Sequence, residues 1–93
     1  MTHTARIPFH QLAPKAFQSL LTLSGAVRKD LLGHRLYDLV LLRVSQINGC
    51  AFCMDMHWQD LIKQDIDARH LNAVAGWREA PFFTGRERAA LAW

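Results

Sequence analysis

Two cysteines three positions apart, with a histidine four residues further on, are the side chains in this sequence best suited to chemistry. They are Cys50, Cys53 and His57 in the run Cys50-Ala51-Phe52-Cys53-Met54-Asp55-Met56-His57. If the run is helical, each residue advances by about 100°, so positions i, i+3 and i+7 fall on one narrow face. Thiols in the first turn of a helix meet unsatisfied N–H groups and the positive end of the dipole, which favour thiolate over thiol. Helical side chains lean toward the N-terminus, so the His57 imidazole reaches Cys53 more readily than Cys50. Cys53 is then the better-served nucleophile, and Cys50 is placed to close a disulfide with it once it is oxidised. Cys50 lies nearer the helix start and feels the dipole more strongly, so on this reasoning alone the opposite assignment stays open. A sulfenic acid left on Cys53 by a hydroperoxide would be captured by a thiol one turn away before overoxidation.

Duller interpretations compete. Cysteines at i and i+3 also serve as small buried hydrophobes, but the chain has no other cysteine and a histidine shares their face. The stronger rival is a metal-binding or purely structural helical oligomer with non-catalytic thiols. Cys50, Cys53 and His57 are zinc-type ligands, yet a closed structural site takes four. His3, His10, His34 and His70 show no paired spacing that supplies the fourth. Neither a metal nor a cofactor is therefore expected. A bridge between residues this close staples nothing distant, which argues against a secreted disulfide framework.

The elements that must position these residues are helical. The segment to about Ala13 contains Pro8 and lacks a sustained period, so it is expected to be an extended arm over the core. Pro14 suits a first helical position. From Lys15, Phe17, Leu20, Leu21, Leu23, Val27 and Leu31 keep helical spacing, giving one long helix or two short ones, with Gly25 as the break or kink. After Gly33, the residues Leu36, Leu39, Val40, Val44 and Ile47 mark one face of a second helix over 34–47. Asn48-Gly49 is expected to stop it with a left-handed residue. A third helix runs from Cys50 to Gln64, and Asp67 caps a short fourth that ends near Gly76. Trp77 to Phe83 form an aromatic loop, and Thr84-Gly85-Arg86-Glu87 matches a capping box that opens a fifth helix. That helix carries Leu91 and Trp93 to the last residue with no stop signal. Either a partner subunit covers them or the sequence is a shortened form of something longer.

Composition sets the frame. Ninety-three residues, 51% of them hydrophobic, make one all-α domain over 1–93. Its stability should be modest unless the helices pack well or copies associate. The net charge of +3 is scattered. Its densest points, Arg28-Lys29 and Arg86/Arg88, lack interleaved aromatics, which excludes nucleic-acid binding and leaves a solvated helix face. No apolar run approaches the length of a membrane span, and the N-terminus is unlike a signal peptide, so a cytoplasmic protein without membrane association is expected.

The run Leu42-Arg43-Val44-Ser45-Gln46-Ile47-Asn48-Gly49-Cys50-Ala51-Phe52-Cys53-Met54-Asp55-Met56-His57 resembles the carboxymuconolactone decarboxylase-like family, in particular its alkylhydroperoxidase D (AhpD)-like branch. Trp77–Phe83 and Arg86–Trp93 extend the likeness over nearly all of the chain. The resemblance implies an AhpD-like helical bundle of about five helices completed by homo-oligomerisation. It also implies a thiol-dependent peroxidase or disulfide reductase that takes a hydroperoxide substrate and an external dithiol reductant. By the same resemblance Cys53 is peroxidatic, Cys50 resolving and His57 the proton relay, and the family's glutamate twelve residues before the first cysteine corresponds to Asp38. Aspartate is one methylene shorter, which calls for a water between it and its partner. The histidine that some members carry between the cysteines is Phe52 here. Decarboxylase members generally lack the cysteine pair, so the pair favours redox chemistry.

Overall fold

The computed structural model describes residues 6–93, which form six α-helices and no strand. They are α1 (Phe9–Leu12), α2 (Pro14–Ala26), α3 (His34–Asn48), α4 (Ala51–Lys63), α5 (Ala68–Asn72) and α6 (Gly85–Ala92). The all-α expectation is met, with one helix more than the five anticipated. The addition is α1, a single turn where an extended arm was expected; residues 1–5 of that arm lie outside the described residues. The Phe9 ring meets the Phe17 ring edge-on at 5.6 Å, which folds the segment back on α2. Ile7, Phe9 and Leu12 stay exposed, so the segment does not lie over the core.

Of the two alternatives for the next stretch, one long helix is observed. Gly25 sits inside it, and the irregularity comes two residues later, where α2 widens into a π-helical stretch, Val27–Leu32. Such widening slips the register of every following side chain and is frequent at functional sites. Gly33 ends it with φ +83° and ψ 155°, a backbone conformation nearly closed to side-chain-bearing residues. Leu20, Leu21, Leu23 and Leu31 are exposed and α2 buries none of its residues, so the periodic face read from the sequence is not part of this chain's core.

The core forms around α3 and α4, the most extensively packed pair of helices. Leu39 and Leu42 of α3 and Leu61 of α4 meet Leu71 and Val74, and Trp77, Phe83 and Leu91 close the far side. The stripe expected on α3 is thereby corrected. Leu36 and Leu39 are buried, but Leu42 replaces Val44 and Ile47, the latter 67% exposed. The helix is apolar around much of its circumference, so period alone did not choose the face. Val40, Val44 and Ile47 border a groove of about 190 Å³ with Leu91 and Trp93.

The helix ends follow their sequence signals. Gly49 is left-handed at φ +68°; its N–H donates to the Gln46 carbonyl and the Cys50 N–H to Ser45 at 3.1 Å, the paired bonds of a Schellman stop. Asp67 Oδ1 accepts the Arg69 N–H and caps α5, which continues as a 3₁₀ turn, Ala73–Gly76. At α6 the capping box is complete: Thr84 N–H donates to Glu87 Oε1 at 2.9 Å and Glu87 N–H to Thr84 Oγ1 at 3.1 Å. Buried Glu87 also accepts from Arg35 Nε at 2.6 Å, which ties α6 to the start of α3. Arg88 is corrected from a solvated position: its guanidinium donates to the Trp77, Arg78 and Ala80 carbonyls and lies 5.5 Å from the Trp77 ring centroid. No helix among the described residues is long and apolar enough to cross a membrane.

Candidate active site

The Schellman stop delivers Cys50 to the start of α4. Its extended backbone (φ −88°, ψ 99°) makes it the N-cap, so it precedes the first turn in which it was expected, while Cys53 occupies that turn. The Cys50 Sγ accepts the Cys53 N–H at 3.2 Å, meeting one of the donors a helix start leaves unpaired. The two sulfurs are joined as a disulfide, with Cα atoms 5.3 Å apart. Both cysteines are half-buried, and next to them Phe52 is 77% exposed.

His57 follows one turn after Cys53 on the same face of α4. Asp38 lies opposite on α3, only 1% exposed. The structure brings Asp38 and His57 together and adds Asp60: a ligand atom from each lies within 4.8 Å of the other two. No direct hydrogen bond joins Asp38 to His57, and the His57 Nδ1 is shielded from solvent without a partner. The Asp38 Oδ2 is already engaged. Arg28 Nη2, from the π-helical stretch, donates to it at 2.8 Å, and Gln64 Nε2, at the end of α4, at 2.6 Å. The hydrogen bond to Asp38 raises the Arg28 pKa; burial opposes this, and the negative charges of Asp38 and Asp60 reinforce it.

Arg28, Asp60 and Gln64 are the members that sequence reasoning missed. Two of them carried a signal: Cys50, Cys53, His57, Asp60 and Gln64 are spaced 3, 4, 3, 4, which continues the dithiol's own helical face. Arg28 carried none, because its partner Asp38 lies on another helix and no helical period links the two. Asp38, His57 and Asp60 have metal-ligating types and spacing, but the Asp38 Oδ2 already accepts from both Arg28 and Gln64, which occupies the lone pairs it would give a metal. A cavity of about 470 Å³ lies on another flank of α4, between Met54, Trp58, Leu42 and Leu71, and neither cysteine lines it.

Comparison with known proteins bears on the fold and the family. The chain is 39% identical to a solved protein of unknown function from Agrobacterium tumefaciens, offered as a candidate antioxidant defence protein AhpD. The two superpose with a TM-score of 0.81 over 97% of this chain and 62% of that one. It is 30% identical over 86 residues to the uncharacterized protein YdfG of Bacillus subtilis (strain 168), covering 92% of this chain and 58% of the relative. It is 37% identical over 54 residues to the uncharacterized protein YnjA of Escherichia coli (strain K12), covering 58% of this chain and 30% of the relative. The chain thus spans less than two thirds of the length of the proteins it matches. Residues 14–93 match the pattern of the carboxymuconolactone decarboxylase family. With its AhpD-like helical fold, the chain belongs to that family.

Proposed function

We infer that this chain is a thiol-dependent peroxidase or disulfide reductase of the AhpD type with an antioxidant role. The observation that carries the reading is the Cys50–Cys53 pair at the start of α4, on one helix face with His57 and backed by the buried Asp38. In the reduced protein the Cys53 thiol gives its proton to His57. The thiolate attacks the terminal oxygen of a hydroperoxide, ROOH; an S–O bond forms, the O–O bond breaks, and the alkoxide takes the imidazolium proton and leaves as ROH. The Cys50 thiol then attacks the Cys53 sulfenic acid, which releases water and forms the disulfide. An external dithiol restores both thiols by exchange and is itself oxidised.

Asp38 holds and polarises His57 through a water. Helix-start N–H groups stabilise the Cys53 thiolate, and cytoplasmic reductants suit a disulfide that cycles. The test is consumption of an organic hydroperoxide by the purified protein supplied with dithiothreitol. Turnover that disappears in Cys53→Ser supports the mechanism, and turnover unchanged in that variant overturns it.

Homo-oligomerisation belongs to the same reading. The exposed Leu20, Leu21 and Leu23 on α2 make an apolar surface that an isolated chain leaves in water, and a second copy would cover it. Light scattering coupled to size-exclusion chromatography checks this; a monomeric mass at micromolar concentration excludes it.

A further inference from the structure

We propose that Arg28 and Gln64 are positioning residues for proton transfer at His57, acting through the Asp38 carboxylate that both of them bind. The inference rests on the peroxidase reading and extends it to residues outside the cysteine motif. Its basis is convergence. Three separate stretches of chain meet at one buried oxygen: the π-helical stretch through Arg28 Nη2, α3 through Asp38 Oδ2, and the end of α4 through Gln64 Nε2. Two donors on Oδ2 fix the rotation of the carboxyl plane. They also supply the hydrogen bonds and the countercharge that a carboxylate needs at 1% exposure. Asp38 then presents a fixed negative charge within 4.8 Å of an imidazole whose Nδ1 is buried and unpartnered. A fixed anion there favours the imidazolium that forms when Cys53 gives up its proton.

The cost of this arrangement is visible in the backbone. Arg28 reaches Asp38 of α3 from an irregular turn, the widened stretch Val27–Leu32. Arg28 Nε is buried without a partner in the same place, a sign that the side chain is committed to Asp38 through its Nη2. The titratable groups around Arg28 and His57 are Asp38 and Tyr37 from α3 and Asp60 from α4, and a pH profile reads all of them together.

The experiment measures two quantities on the reduced full chain. One is the pH dependence of Cys53 alkylation by iodoacetamide, read by peptide mass spectrometry. The other is organic hydroperoxide turnover with dithiothreitol. The variants are Arg28→Ala, Arg28→Lys, Gln64→Leu and Cys53→Ser, each with its thermal midpoint recorded. In Arg28→Ala and Gln64→Leu the alkylation midpoint is expected to move up by about one pH unit and turnover at neutral pH to fall about tenfold. Arg28→Lys, which keeps the charge and a donor, recovers most of both. An alkylation midpoint that stays where it was in both Arg28→Ala and Gln64→Leu, with Cys53→Ser inactive, overturns this proposal alone, whatever the thermal midpoints do. A lysine that fails to recover what alanine lost also overturns it. Full turnover in Cys53→Ser overturns both this proposal and the peroxidase reading.

Discussion

Arg35 and Glu87, fifty-two residues apart in the chain, meet at 2.6 Å between Nε and Oε2, and the same carboxylate closes the cap of α6 through the Thr84 N–H. One buried acid therefore fixes both the start of α6 and its attachment to α3. Burial by itself would raise the Glu87 pKa above the usual 4.5, but the hydrogen bonds from Arg35 and Thr84 and the Arg35 charge outweigh it and hold the group below that value. A group that ionises more readily when folded adds stability that is complete above its unfolded value and is lost as pH falls through the lower folded one. Glu87→Gln is accordingly expected to cost about 1–2 kcal/mol at neutral pH, allowing for the solvent around Arg35. The gap to the native protein should close as the pH falls from neutrality to below the usual carboxylate range. Urea unfolding of both proteins across that range checks the sign; a gap that widens in acid contradicts it.

Asp38 sits under two donors, and its removal strands both. Asp38→Asn keeps the shape but removes the charge that Arg28 faces and places an amide NH₂ or a weaker acceptor against Gln64. A loss of about 1–3 kcal/mol in unfolding free energy is expected. It should be accompanied by a fall of about tenfold or more in hydroperoxide turnover. Chemical denaturation and turnover on the same preparation measure both. Native stability and native turnover together would contradict the assigned geometry.

Two glycines should rank differently. Gly33 at φ +83° and ψ 155° occupies a region almost closed to other residues, whereas Gly49 at φ +68° and ψ 25° lies in the left-handed region that some side chains tolerate. Gly33→Ala is expected to cost about 1–3 kcal/mol and Gly49→Ala about 1 kcal/mol. No atom crowds either position, so the difference is purely conformational. Urea midpoints give the order, and a reversed order would refute it.

Arg88 holds the aromatic loop by donating to three of its carbonyls and by lying against Trp77. Arg88→Met retains most of the apolar stem but leaves those carbonyls without their donor. An expected cost of about 1–3 kcal/mol should come with a red shift in tryptophan fluorescence as Trp77 loosens. An unshifted spectrum with unchanged stability would show that the carbonyls find other donors.

Much of this was legible from residue types. Asp67 and Thr84-Gly85-Arg86-Glu87 announced their caps because N-capping is a local transaction between a side chain and backbone N–H groups three residues away or fewer, and Asn48-Gly49 announced the stop of α3 because glycine readily takes the left-handed backbone. The shared face of Cys53 and His57 followed from helical period alone, whereas Cys50, as the extended N-cap, stands just outside the helix. The buried face of α3 did not: with Leu36, Leu39, Val40, Leu42, Val44 and Ile47 all apolar, only packing against Leu61 and Leu71 decides that Leu42 goes inward and Ile47 outward. Arg28 and Arg88 looked like surface charge because their partners, one acid ten residues on and three loop carbonyls, exist only in three dimensions. The π-helical stretch that carries Arg28 has no residue signature at all. The apolar face of α2 illustrates the opposite failure: period correctly marked a helix, but a periodic stripe does not say whether its own chain buries it.

The dithiol chemistry is tested most directly by trapping the oxidised sulfur. Reduced Cys50→Ser protein, which lacks the resolving thiol, is treated with one equivalent of an organic hydroperoxide in the presence of dimedone and mapped by peptide mass spectrometry. A dimedone adduct on Cys53, formed at the rate of peroxide loss, is the expected result. Peroxide consumed without an adduct on Cys53, or an adduct in Cys53→Ser that forms equally fast on Cys50, would contradict the assignment of Cys53 as the attacking thiol.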